Sequence, residues 1–207
     1  MTACYVVKAS LYSIIIDGFA WPVVVAALGT VCFACFAWGT IHHFARKAGE
    51  ESWARIISLL SLFGMALFLS RTLSGQLSPG WVVACLLFVL SIGLWTWSFA
   101  ATRMTPPTLA FTGDEPRLVL SSGPYRWVRH PFYCAYLLFW VGTAVATQGI
   151  VGWTFALVFS AVYLAAARYE EGKFARSAFA ACYSAYALRT GMFHPRLWTN
   201  LRCSSSK

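Results

Sequence analysis

Long charge-free stretches alternate with short polar connectors along the whole chain. The first stretch runs from Gly18 to Ile41, 24 residues without a charge. At about 1.5 Å per residue a helix of this length crosses a hydrocarbon layer of about 30 Å. Pro22 falls near its start, where a missing N–H is best tolerated, and Asp17 sits at its edge. A polar connector from His42 to Arg55 follows. The next apolar run, Ile56 to Ser70, is short. It spans a membrane only by recruiting Trp53 and the uncharged residues Thr72 to Leu77, or by letting Arg71 snorkel to the interface. Ser78-Pro79-Gly80 reads as a turn, and Trp81 to Thr102 reads as a third span.

Arg103 to His130 is the longest polar segment, and its prolines and glycines argue against a long helix. From Pro131 to Ala167 no charge occurs for 37 residues, too many for one upright span and enough for two short ones. Thr147-Gln148-Gly149 is the polar break, so a tight helical hairpin is expected there. Arg168 to Arg189 reads as a single helix leaving the membrane, with Phe179, Tyr183, Tyr186 and Thr190 on one face. Gly191 and Pro195 then stop it. The pattern predicts an all-α integral membrane protein with about five transmembrane helices and a C-terminal cytoplasmic helix. Residues 1–102 would form three N-terminal spans. Residues 103–207 would form the region that carries the chemistry: loop, hairpin 131–167, helix 168–189 and tail.

Composition sharpens this picture. Hydrophobic residues make up 59% of the 207 residues and charged ones only 11%, against roughly a quarter in soluble domains, which excludes disorder and an ordinary soluble enzyme. The net charge of +9 would suggest a polyanion partner in a soluble chain. Here the cations lie between apolar runs, so no nucleic-acid partner is expected. With five spans, fourteen cations fall on the side of the 42–55 connector, the 103–130 loop and the C-terminal segment, and only Lys8 and Arg71 fall on the other. That asymmetry predicts an outside N-terminus and a cytoplasmic C-terminus. No internal repeat is visible, which disfavours a transporter of inverted halves. Lys8 and the apolar residues after it lack a small-x-small cleavage site, so no signal peptide is expected. The seven cysteines are odd in number and mostly intramembrane, so a disulfide framework is not expected. Cys32 and Cys35 read as small packing residues, and His42 and His43 lack the carboxylates a metal site would need. The Trp95/Trp97 pair reads as interfacial aromatic packing, and His194, before Pro195, as a cap on the C-terminal segment.

Two polar clusters flank the hairpin. Gly123-Pro124-Tyr125-Arg126-Trp127-Val128-Arg129-His130-Pro131-Phe132-Tyr133 precedes it and Arg168-Tyr169-Glu170-Glu171 follows it. A hairpin returns to the face it left, so the clusters should meet although 40 residues separate His130 from Glu170. Pro131 suits a first helical position, and a helix N-terminus beside Arg129 and His130 suits a carboxylate or phosphate. Glu170 and Glu171 suit a cation, and Tyr125, Trp127 and Tyr133 a flat ring or cationic centre. Together they fit one zwitterionic ligand with an aromatic part. The rival reading makes the arginines positive-inside anchors and the glutamates partners of Arg168 and Lys173.

The run 123–133 resembles the GPYxxxRHPxYxG signature of the isoprenylcysteine carboxyl methyltransferase and phospholipid methyltransferase superfamily, in which a Glu-Glu pair follows some distance on. Glu170-Glu171 matches that pair. Phe179, Tyr183, Tyr186 and the stretch Thr190 to Pro195 are similar to the family's C-terminal pattern. The resemblance covers about residues 95–198. It departs at Ala135, where the signature has glycine, and by one extra residue before Phe179. Aligned back from Tyr183, the pair would fall on Glu171 and Gly172 instead. The resemblance implies S-adenosylmethionine as cofactor and a lipid-like or hydrophobic acceptor entering from the bilayer, among membrane lipids. It implies a cofactor site built from Gly123, Pro124, Tyr125, Arg129, His130, Pro131, Tyr133, Glu170, Glu171 and Tyr183, with Glu171, His130 and Arg129 nearest the chemistry. A base for an acceptor that loses a proton would be Glu171 or His130. No GxGxxG of the soluble nucleotide-binding design is present. The alternatives are a nicotinamide-dependent membrane reductase similar to sterol reductases, and a non-catalytic membrane protein of the same fold.

Overall fold

The computed structural model describes residues 2–44, 51–107 and 118–196, with side chains placed from residue 20 in the first stretch and from residue 53 in the second. Six α-helices follow in order: α1 (Thr2–His42), α2 (Glu51–Leu73), α3 (Trp81–Thr102), α4 (Pro131–Thr147), α5 (Ile150–Ala175) and α6 (Ala180–Arg189). A 3-10 turn, Gly123–Arg126, precedes α4. Among the described residues four segments are long and apolar enough to cross a membrane: Ala20–His42, Trp53–Leu73, Trp81–Thr102 and Ile150–Ala175. The fifth apolar helix, α4, has 17 residues, the lower limit for a span. The expected all-α membrane architecture is the one observed.

α3 and α4 form the centre of the bundle. Gly142 on α4 lets the Phe88 ring of α3 lie where a Cβ would come within 2.8 Å of it. Ser91 Oγ donates to the Ala135 carbonyl across the same interface at 2.7 Å. Ala135 is wholly buried, so the alanine found where the signature has glycine is accommodated in this contact. Phe88, Phe139 and Phe159 fill the interior, and Trp140 stacks on Phe159 at 4.2 Å. Leu59, Leu62, Leu86, Leu90 and Leu157 are exposed on the outside. That inversion of a soluble protein's surface is what a lipid solvent requires.

Several details differ from the sequence expectation. α1 begins well before Gly18, so Pro22 lies inside a helix rather than near its start. α2 takes in both Trp53 and Arg71, and the Arg71 guanidinium reaches Gln76 and the hairpin turn at Gly149. The hairpin turns through Gln148, which is left-handed at φ 44° and caps α4 through the Ala144 carbonyl. The single helix expected over 168–189 is two. α5 continues unbroken to Ala175, and α6 starts afresh at Ala180. Ser177 makes the break: its Oγ donates to the Phe174 carbonyl and accepts from the Phe179 N–H, displacing helical bonds. The extra residue before Phe179 sits in the segment containing this break. Asp17, the connector charges Arg46, Lys47 and Glu50, Arg117 and the tail beyond residue 196 lie outside the described side chains.

Candidate active site

Gly123 starts the site with φ +56°, a backbone conformation that disfavours side chains. A Cβ there would also meet Ala101 at 3.0 Å. The tight turn that follows is held by the Pro124 carbonyl, which accepts from the Trp127 and Val128 N–H groups. The chain then runs alongside the C-terminal segment. Arg129 N–H donates to the Gly191 carbonyl at 2.8 Å and His130 N–H to the Met192 carbonyl at 3.2 Å, around an isolated parallel bridge between Val128 and Gly191. Gly191 has to be small, because a Cβ would overlap the His194 carbonyl oxygen. This glycine therefore serves close approach as well as stopping the helix. Pro131 opens α4, and the Cys134 N–H closes its first turn on the His130 carbonyl.

α5 brings the glutamate pair to this turn. Glu171 Oε1 accepts from Arg129 Nε at 2.8 Å and faces His130 Nε2 at 3.1 Å. Glu170 Oε2 lies 3.5 Å from His130 Nδ1, and Glu170 Oε1 accepts from the Tyr133 hydroxyl. Helical geometry accounts for the division. Adjacent residues point about 100° apart. Glu170 shares the face of Tyr163, which stacks on Tyr133 at 5.5 Å, and Glu171 shares the face of Phe174, which stacks on Tyr183 at 4.3 Å. The expected meeting of the two clusters is thus observed.

Arg129 also binds α6 and the segment after it. Its Nη1 donates to the carbonyls of Ala187 and Thr190, and the Tyr186 hydroxyl donates to the Tyr125 carbonyl at 2.7 Å. Burial alone would lower the His130 pKa. Hydrogen bonds and charge from Glu170 and Glu171 outweigh burial and raise it, so the imidazolium form is favoured. Arg129 is raised in the same way, Glu171 overcoming burial. Burial pushes the Tyr125 and Tyr183 hydroxyls up, and Tyr186 to about 12, so these phenols stay neutral hydrogen-bonding groups.

A cleft of about 340 Å³ opens beside this cluster, within the range of small-molecule sites. Of the expected residues, Tyr125, Arg129, His130, Pro131, Tyr133, Glu170 and Tyr183 line it, and Glu171 stands just behind, bonded to Arg129 and His130. Gly123 and Pro124 do not line it. Gly123 packs on α3, and Pro124 faces a separate apolar groove. Their contribution is the shape of the turn. Sequence reasoning missed Lys173, Phe174, Phe44 and the loop residues 104–107 and 118–120, which complete the lining. Phe174 was within reach, one helical turn beyond Glu170. Phe44, at the end of a polar-looking connector, carried no signal. Among the described residues no group of three or more His, Cys, Asp or Glu is arranged to hold a metal ion.

The model of the phospholipid methyltransferase family matches residues 79–182, from the turn before α3 through the glutamate pair. The chain belongs to that family. Two of its relatives carry names from metal tolerance. The cobalt-zinc-cadmium resistance protein CzcN of Cupriavidus metallidurans is 35% identical over 110 residues, 53% of this chain and 50% of that protein. The nickel-cobalt-cadmium resistance protein NccN of Alcaligenes xylosoxydans xylosoxydans is 31% identical over 123 residues, 59% of this chain and 55% of that protein. The chain thus matches about half the length of each. No solved structure matches. The phospholipid methyltransferase match encloses α3, α4, α5 and the Arg129–His130–Glu170–Glu171 cluster, and leaves α1 and α2 outside.

Proposed function

We propose that this protein is an integral-membrane methyltransferase that uses S-adenosylmethionine to methylate a lipid-like or hydrophobic acceptor. The observation that carries the reading is the charge-balanced cluster of Arg129, His130, Glu170 and Glu171 beside a cleft whose other walls are mostly apolar and aromatic, with Lys173 and Thr105 among them. The donor set fits the cofactor. Arg129 lines the cleft and suits a carboxylate. Glu170 lines it and suits an ammonium or ribose hydroxyls, and Tyr125, Tyr183, Tyr186 and Phe174 suit a purine. The cofactor supplies an activated methyl group.

The two glutamates take different roles in this reading. Glu170 faces the cleft and holds the cofactor. Glu171, bonded to Arg129 and His130 at once, positions both. His130 stands between two carboxylates with its proton favoured, so it balances charge and orients the pair rather than abstracting a proton. Catalysis then rests on in-line placement of acceptor and methyl donor. Phe44, Met104, Pro106 and Phe132 give the cleft an apolar side that suits an acceptor arriving from the bilayer. The cation asymmetry supports an outside N-terminus, with the cleft and the C-terminus on the cytoplasmic side.

Calorimetric titration of the purified full chain tests the reading. S-adenosylmethionine should bind and NADPH should not. Binding of NADPH alone would assign the site to a reductase, and binding of neither would leave the fold without catalysis. Outside-only thiol labelling tests the orientation. A cysteine introduced at Gln148 should react and one at Thr112 should not, and the reverse would invert the topology.

A further inference from the structure

The turn that carries Arg129 and His130 is a partition with two unlike sides. Tyr125, Arg129 and Tyr133 face the cleft. Pro124, Val128 and Cys134 face a second cavity on the other side, a groove of about 640 Å³ between α3 and α4. Leu94 and Trp97 of α3 and Leu137, Leu138 and Val141 of α4 line that groove together with Trp127 and Phe193. From Cys134 to Val141 it descends about 10 Å along α4, within the apolar part of the bundle.

Three features define what occupies it. The lining is hydrocarbon and aromatic throughout, save the Cys134 thiol, which already bonds the Phe193 carbonyl. Trp97 and Trp127, 48% and 57% exposed, mark the level of the membrane interface. Arg126 stands beside Trp127 at that level. It is exposed and makes no hydrogen bond or ion pair with any other described residue. An apolar slot inside the membrane with a free cation at its interfacial end is complementary to a hydrocarbon chain bearing an anionic head.

We propose that this groove is a site for an anionic phospholipid of the surrounding bilayer, one acyl chain lying between α3 and α4 and the phosphate at Arg126. The site is distinct from the cleft, because the 123–134 turn stands between them. It also braces that turn from behind: the Phe193 ring lining the groove lies 6.0 Å from the His130 ring, so a lipid in the slot completes the packing under His130.

Native mass spectrometry of the detergent-purified full chain, with dioleoyl phosphatidylglycerol or dioleoyl phosphatidylcholine added at equal concentration, tests the proposal. One phosphatidylglycerol should be retained in preference to phosphatidylcholine. Arg126→Gln should reduce its retention about fivefold, the equivalent of about 1 kcal/mol for one interfacial cation. Leu138→Trp, which fills the slot, should remove it while the melting temperature stays near wild type. Equal retention of the two lipids, or retention insensitive to both variants, overturns the proposal. So does a dimer that Leu138→Trp abolishes, which would give the groove to a second copy of the chain. None of these readouts depends on methyl transfer, so failure here and failure of the methyltransferase reading are separable.

Discussion

The two halves of the molecule are both helical and both apolar, yet they differ in how densely ionisable and phenolic side chains tie distant segments together. In α1 to α3 most hydroxyls turn back on their own helix: Thr30 to the Ala26 carbonyl, Ser61 to that of Ile57, Ser98 to that of Leu94. Contacts between helices there include rings against glycines, Phe68 over Gly29 and Trp95 over Gly39, and a buried polar link, His43 Nε2 to the Thr102 hydroxyl at 2.8 Å. From the turn at Gly123 onward the span hydroxyls do the same, Thr147 to the Thr143 carbonyl and Ser160 to that of Ala156, but ionisable and phenolic side chains cross between segments far apart in sequence. Arg129, His130, Tyr133 and Tyr186 each bond across at least 37 residues. A hydroxyl bonded within its helix asks nothing of its neighbours. A guanidinium that holds α5, α6 and the segment after α6 makes all three depend on one another. The first half is a scaffold whose packing is local and replaceable, and the second half is a network that loses several contacts when one member goes.

The sharpest way to break the contrast is Glu171→Gln. It keeps the volume and removes the carboxylate that Arg129 and His130 share. Breaking a buried pair costs about 3–5 kcal/mol, and because the Glu171 side chain is 21% exposed we expect about 2–3 kcal/mol. Thermal unfolding should show the loss, and turnover at saturating S-adenosylmethionine should fall. Glu170→Gln should instead weaken cofactor binding with a smaller loss of stability. Equal behaviour of the two variants would dissolve the division of roles.

Gly142→Leu probes the scaffold from α4, where that helix packs on α3. Its side chain would collide with the Phe88 ring across the α3–α4 interface, an overpacking worth about 1–3 kcal/mol. The expected outcome is a lower melting temperature with unchanged cofactor affinity in the folded protein. A matching loss of affinity would show that the scaffold and the network are coupled.

Much of the architecture was legible because membrane burial writes long, simple patterns. The 24 charge-free residues from Gly18 and the 37 from Pro131 needed only a ruler. The meeting of Arg129 with Glu171 was legible because a hairpin fixes where its two ends lie, and the opposed faces of Glu170 and Glu171 followed from helical geometry. The break at Ser177 was not legible. A serine is neutral in a helix until its hydroxyl captures the backbone, which depends on where Phe179 and Tyr183 must pack. Nor was the pairing of residues 128–130 with 190–192, since two extended segments joined by three residues each leave no periodicity to read. For the same reason Arg129 read as a ligand anchor or a positive-inside cation, although its carbonyl bonds make it the fastener of the C-terminal segment as well.

Tyr186→Phe tests that fastening with a smaller effect. It removes one hydroxyl, the donor to the Tyr125 carbonyl, and keeps the ring. A neutral hydrogen bond contributes about 1 kcal/mol. Limited proteolysis should cut the segment after α6 faster in the variant, with the helical core intact. Unchanged proteolysis would mean that the Arg129 bonds and the backbone pairing with Gly191 and Met192 hold the segment without Tyr186.

The smallest effect expected is a pH dependence at His130, and its sign follows from the geometry. The imidazole faces Glu170 and Glu171, with Arg129 bonded to the second and Tyr133 to the first. Burial opposes its charge, but the two carboxylates prevail, and the folded-state pKa stands above the unfolded value of 6.5. A group whose pKa is raised by folding adds stability that is fully present below the unfolded pKa. That contribution fades as the pH climbs through the folded pKa and is absent above it, where His130 is neutral in both states. The wild type should therefore lose melting temperature relative to His130→Gln as the pH rises across neutrality and beyond, while the difference is largest in mild acid. A difference that stays constant with pH would mean that His130 contributes packing and a neutral hydrogen bond, and that Arg129 is the sole cation in the cluster.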